Sequence, residues 1–179
     1  MPVAPRRRRR AAVIAAVVAA MFVAVTARLF VFPAQGMPAH VGAVIMFAGI
    51  DDPGRVATAL RLARDRRTPT LIISLGARQS GPTCPPAVDN AEVICFNPSP
   101  ATTRGEAEYA GQLARQHHWK SVALVTVAPQ ITRARLRVSR CFPGKIYAVA
   151  APLSAVQWPY TIAYEWGATL KALLFQRSC

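Results

Sequence analysis

Two short stretches carry polar side chains of the types and spacing that could handle a charged ligand. PSPATTRGEAEY contains Thr103, Arg104 and Glu106, and VTVAPQITRAR contains Thr126, Gln130 and Arg133. A hydroxyl, a guanidinium and a carboxylate can hold an anion and supply a base. A hydroxyl, an amide and a guanidinium can orient the same anion by hydrogen bonds. Both stretches run into expected helix starts, where unpaired backbone N–H groups and the helix dipole favour negative charge. Each has a plainer duty to weigh against this. Thr103 and Glu106 have the T-x-x-E spacing of a capping box, in which the two side chains satisfy first-turn N–H groups. Pro129 at the first position of a helix is an ordinary start. A third stretch, AGIDDPGR, offers Gly49 and Asp51. Asp52 before Pro53 reads as a helix cap, whereas Asp51 has no local duty and is a candidate for a ligand hydroxyl or a cation, with an exposed turn carboxylate as the plainer alternative. Glu106 is the one, weak, candidate for a catalytic base.

These stretches need a frame to position them, and the apolar pattern supplies one. VGAVIMFAG (41–49), TPTLIISLG (68–76), AEVICFN (91–97), SVALVTVA (121–128) and GKIYAVAA (144–151) read as buried strands. GRVATALRLARD (54–65), TTRGEAEYAGQLARQHHW (102–119), PQITRARLRVSRCF (129–142) and a last segment from Pro159 to Arg177 read as helices. Continuously apolar strands alternating with helices predict a doubly wound, mostly parallel, Rossmann-like α/β sheet. Such sheets bind ligands beyond the carboxyl ends of their strands, where the strand order switches. The loops after strands one, three and four are therefore the ones expected to carry the site. There is no G-x-G-x-x-G, no zinc-ligand spacing, no G-x-S-x-G and no Cys/His nucleophile pair, so the cofactor stays unknown, with no metal or dinucleotide signature. On the helix that starts at Pro129, Arg133, Arg137 and Arg140 share a basic face of the kind that is usually solvated, and only Arg133 is near enough to the helix start to reach the strand ends.

The formal charge of +14 invites a nucleic-acid reading, but five of those charges are Arg6 to Arg10 and a sixth is Arg28. No basic stripe interleaved with aromatics follows, so nucleic acid is not expected as a partner. From Ala11 to Phe32, 20 of 22 residues are apolar; a helix of that length covers about 33 Å, enough for a hydrocarbon core of about 30 Å. The arginines before it place the N-terminus in the cytoplasm. The competing reading is a signal peptide cut after Val25-Thr26-Ala27. Either way the rest of the chain lies outside the cytoplasm. The expected organisation is a basic tail (1–10), a transmembrane signal anchor (11–32), a linker (33–40) and one extracytoplasmic domain (41–179). Cys84, Cys95, Cys141 and Cys179 suit two disulfides in an oxidising compartment, with three connectivities open, sequence neighbours being one. Free buried thiols are the alternative. Trp158, Tyr160, Tyr164 and Trp166 read as core or membrane-proximal packing, or as a face for another protein.

The run from strand one through TTRGEAE to VTVAPQITRAR is similar, in order and spacing, to the envelope family that includes YdcF, SanA and ElyC. The similarity covers roughly residues 41 to 151. Gly49 matches the glycine closing strand one. Thr103, Arg104 and Glu106 match a T-R-x-E motif, and Thr126 and Arg133 match a V-T-S-x-Y-H-x-x-R-A motif. Gln130 stands where that family often has histidine, and Val127 replaces its serine. A glutamine cannot transfer a proton as histidine does. The resemblance implies a role in cell-envelope biogenesis or integrity. Two functions are expected from these residues: binding of an anionic, phosphorylated ligand by Gly49, Asp51, Thr103, Arg104, Glu106, Thr126, Gln130 and Arg133, or hydrolase or transferase chemistry on a phosphorylated envelope or lipid-carrier precursor.

Overall fold

Runs of Val, Ile and Leu uninterrupted by polar residues can be stable only where both faces of a strand are covered, and that is how they lie. The computed structural model describes residues 5–49, 52–76 and 83–179. Five strands, β1 (Ala43–Met46), β2 (Thr70–Ser74), β3 (Glu92–Phe96), β4 (Ser121–Val127) and β5 (Lys145–Ala151), form one sheet in the order β3-β2-β1-β4-β5. Every pairing is parallel. The intervening helices are α2 (Asp52–Arg64), α3 (Thr103–Gln116) and α4 (Ala128–Cys141), and α5 (Trp158–Leu174) closes the chain. This is the doubly wound parallel architecture that the apolar pattern predicts.

Period-two alternation divides the core between the two faces. Ile45, Phe47, Ile72 and Leu124 meet Ala107, Ala110 and Leu113 of α3 and Ile131, Ala134 and Val138 of α4. Val44, Met46, Leu71 and Ile73 point the other way, against Ala59, Leu62 and Ala63 of α2. Each such aliphatic side chain, fully buried, contributes about 1.5–3 kcal/mol. The small residues of α3 and α4 bring both helices close to the sheet, and α5 packs on the outside of α4.

The N-terminal helix α1 (Pro5–Thr26) passes into one π-helical turn at Ala27–Val31. By length and composition it is able to cross a membrane. Val13, Ile14, Val17, Val18 and Met21 are exposed along it. Its far end is built into the domain. Phe30 is fully buried, Trp166 of α5 stacks on Phe22 at 5.4 Å and meets Phe30 edge-on at 5.1 Å, and the Trp166 indole N–H donates to Thr26 Oγ1 at 3.2 Å. Thr132 on α4 donates to the Leu29 carbonyl. The residues after it, expected as a linker, are stitched down. Gly36 N–H donates to the Ala148 carbonyl on the β5 edge, and the Gln35 side chain accepts from Ala150 N–H. Arg67 donates to the Pro38 carbonyl. Two disulfides join sequence neighbours, Cys84 to Cys95 and Cys141 to Cys179.

Candidate functional site

A cavity of about 380 Å³ lies over the carboxyl ends of β1, β2 and β4, where the strand order switches between β1 and β4. Ala48 and Gly49 after β1, Leu75 and Gly76 after β2, and Thr102 and Thr103 at the start of α3 form part of its lining. Val127 and Gln130 come from the β4–α4 join, and Tyr160, Thr161, Tyr164 and Glu165 of α5 make a wall. The loops after strands one, three and four meet here as expected. The strand-two loop joins them, which the sequence reading did not include.

Glu106 does not cap its own helix. Thr102 occupies the cap position without a side-chain bond, and Glu106 reaches across to accept the Ala48 N–H at 2.8 Å. The capping-box duty is thus absent, because α3 starts one residue too early for the T-x-x-E spacing to close. Burial pushes the Glu106 carboxyl above the ordinary glutamate range, although the Ser74 hydroxyl, the Ala48 N–H and the charges of Arg55 and Arg133 pull against it. It is only 3% exposed. Gly105 beside it is required by space: a Cβ there would stand 2.0 Å from the Pro100 carbonyl oxygen.

Arg55, at the start of α2, turns its guanidinium back over the end of β1. Its Nη1 donates to the Phe47 carbonyl at 2.8 Å, the Ala48 carbonyl at 2.9 Å and Gln130 Oε1 at 2.9 Å. Gly49 makes room for it. Its φ of +153° suits glycine, and a Cβ there would meet the guanidinium nitrogens at 2.9 Å.

From Arg55 a continuous buried relay crosses four helices. Gln130 Oε1 also accepts from the Thr126 hydroxyl at 2.7 Å, while its Nε2 donates to Thr103 Oγ1 at 3.4 Å. Arg133 Nη1 donates to the same Thr103 oxygen at 2.7 Å. The rest of the Arg133 fork is bidentate on Glu165, at 2.7 and 2.6 Å. Burial works against the Arg133 charge, but the Glu165 carboxylate more than offsets it and the guanidinium holds its proton more tightly than usual. Three bonds engage three of its five donor hydrogens, leaving two for the cavity it lines. Tyr164 lies under the guanidinium, 5.7 Å from ring centre to carbon, a cation–π contact.

Of the expected site residues, Gly49, Thr103, Glu106, Gln130 and Arg133 line the cavity. Thr126 is fully buried behind them and acts through Gln130. Arg104 is absent from the lining: its Nε pairs with Glu108 at 2.7 Å and its Nη2 donates to Ser178. Glu108, four residues on and on the same side of the helix, captures it. Asp51 lies outside the described residues. Arg137 and Arg140, read as a solvated basic face, instead bind carbonyls at the end of α5: Arg137 holds Gln176, and Arg140 the Ala172 and Gln176 carbonyls. Cations satisfy the orphan carbonyls of a helix C-terminus.

Sequence reasoning missed Arg55, Ser74 and Glu165. Arg55 carried a signal, since a cation in the first turn of a helix opposes the dipole and needs another reason to be there. Glu165 carried one too, as the single acidic residue of an otherwise apolar helix. Ser74 ends a buried strand and carried none. The chain matches no protein-family model, no curated protein and no solved structure.

Proposed function

We propose that this chain is a membrane-anchored, extracytoplasmic α/β domain of the YdcF/SanA/ElyC type that binds a small anionic, phosphorylated ligand in the cavity at the β1/β4 switch, in the service of cell-envelope biogenesis or integrity. One observation carries the binding reading. Two buried guanidiniums, Arg55 and Arg133, line one cavity with Glu106 and Glu165, and burial pushes the Glu106 carboxyl above the ordinary glutamate range. Both guanidiniums stand beside the first turn of α3, which has no side-chain cap and whose N–H groups favour an anion. Two features support the anchor. Cleavage after Ala27 would cut into a segment whose Phe30 is fully buried and whose Thr26 and Leu29 are bonded to α5 and α4. Two disulfides favour an oxidising compartment.

Calorimetric titration of the full-length, detergent-extracted chain with inorganic phosphate tests this reading. Saturable binding that Gly49→Val abolishes is expected, because the new side chain displaces the Arg55 guanidinium. No saturable heat at any concentration would overturn it.

A second reading rests on Glu106 alone. A buried carboxyl with a raised pKa, set in a cavity, suits general acid or base work on a phosphorylated envelope or lipid-carrier precursor. Gln130 offers no proton, so Glu106 would carry that chemistry with Arg133 stabilising charge. Phosphate release from a phosphomonoester, lost in Glu106→Gln, would favour the enzyme over the binding protein.

A further inference from the structure

We infer that the outward face of α5 around Trp166 is a lipid-docking surface, embedded in the outer leaflet of the bilayer that α1 crosses, so that the domain is seated in the membrane surface. This rests on the anchor reading above and concerns a part of the molecule that the reading leaves without a role.

The helix is inside out. The residues that α5 buries are Thr161, Glu165, Thr169 and Ala172. Those it exposes include Tyr160, Tyr164, Leu170, Leu173 and Leu174, and Phe175 follows at 81% exposed. A helix packed on a soluble domain normally turns its apolar stripe inward and its polar face to water. The reversed order is what a helix needs when its outer solvent is hydrocarbon. In water the same row would be an aggregation-prone patch.

The contact with α1 says what covers this face. Trp166, Leu170 and Leu173 follow one another at spacings of four and three, which puts them on one side of the helix. Trp166 is the member already occupied, by Phe22, Thr26 and Phe30 at the far end of α1. Leu170 and Leu173 share that side of the helix and remain exposed.

Depth gives the same answer. Thr26 lies sixteen residue steps along continuous helix from Arg10, a rise of about 24 Å, whereas the hydrocarbon core is about 30 Å thick. With Arg10 at the cytoplasmic boundary, Thr26 lies below the outer boundary, and tilting α1 lowers it further. The Trp166 side chain bonded to Thr26 must then sit at the depth of the outer leaflet, and Leu170 is one helical turn from it. Tyr160, Tyr164 and Lys171 flank the apolar row with the amphipathic and cationic side chains that suit headgroups. Tyr160 and Tyr164 also wall the cavity, which brings its mouth beside the bilayer surface.

The test places a photoreactive benzophenone amino acid at Leu170, at Val17 on α1, or at exposed Gln112 on α3, in the full-length chain reconstituted into vesicles of phosphatidylcholine and phosphatidylglycerol. All three positions are exposed, so folding is preserved. The expected result is a mass increase of one phospholipid at Leu170 and at Val17, and none at Gln112. Lipid adducts at Val17 with a covalent dimer at Leu170 would overturn the docking surface in favour of a second copy of the chain. Lipid adducts at Val17 with no product at Leu170 would overturn it in favour of water. Absence of lipid adducts at both Val17 and Leu170 would remove the anchor and the docking surface together.

Discussion

If Glu106 must be neutral for the cavity to accept an anion, anion affinity depends on pH in a direction the structure fixes. Among the described charged residues that line the cavity, Glu106 is the carboxyl that burial pushes above the ordinary glutamate range. Raising the pH through that raised value switches on a negative charge beside the ligand; lowering it removes the charge. A ligand charge near the middle of a cavity of about 380 Å³ lies on the order of 6 Å from the carboxylate. At an effective dielectric of about 20, two unit charges at that distance repel by about 3 kcal/mol, and at twice that dielectric by about half as much. The affinity difference between the two protonation states is then on the order of 10- to 100-fold. The assay is calorimetric titration with sulfate, a phosphate surrogate whose own charge stays constant across the neutral range, repeated as the pH is lowered. Wild type should tighten as the pH falls. Glu106→Gln, which keeps an acceptor for the Ala48 N–H and carries no charge, should bind tightly throughout and lose the slope. Superimposable pH profiles for wild type and Glu106→Gln would refute the reasoning, because the carboxyl would then not face the bound anion.

Two further outcomes concern the frame of the site. Glu165→Ala strands the buried Arg133 guanidinium without its carboxylate and should lower unfolding stability by about 3–5 kcal/mol in denaturant titration; the paired replacement Glu165→Leu with Arg133→Met should cost much less. All four cysteines are paired, so a thiol-blocking reagent should leave the non-reduced protein unlabelled. Cys141→Ser with Cys179→Ser, which opens a loop spanning 38 residues, should lower stability by about 4 kcal/mol on the chain-entropy account.

The frame was legible because its signals are local. Continuous apolar strands and intervening amphipathic helices give a covered parallel sheet, and the sheet type gives the edge on which a ligand sits. Gly49, Thr103, Glu106, Gln130 and Arg133 could be gathered from the sequence for that reason. What escaped depends on side-chain direction and on helix boundaries good to a residue or two. A start at Thr103 with Thr102 at the cap turns Glu106 away from its own backbone and toward Ala48. Arg104 and Arg133 were equivalent as charges, yet the nearest carboxylate separates them: Glu108 draws one outward and Glu165 holds the other at the cavity. Pairing with Glu165 is invisible without knowing that α5 lies on α4.

The stitching of residues 35–38 to the domain bears on how the domain, if anchored by α1 as proposed, would meet a ligand. A free eight-residue leash would let the domain wander on the order of 15 Å from its anchor. Here Gln35, Gly36 and Pro38 are each bonded to the body they would otherwise release, and Phe30 is sunk in it. The chain has no leash. Its cavity keeps one height and one heading relative to α1, so that, on the anchored binding reading proposed above, capture would become a two-dimensional search by lateral diffusion, in which molecules travelling within the same plane are favoured over those arriving from above.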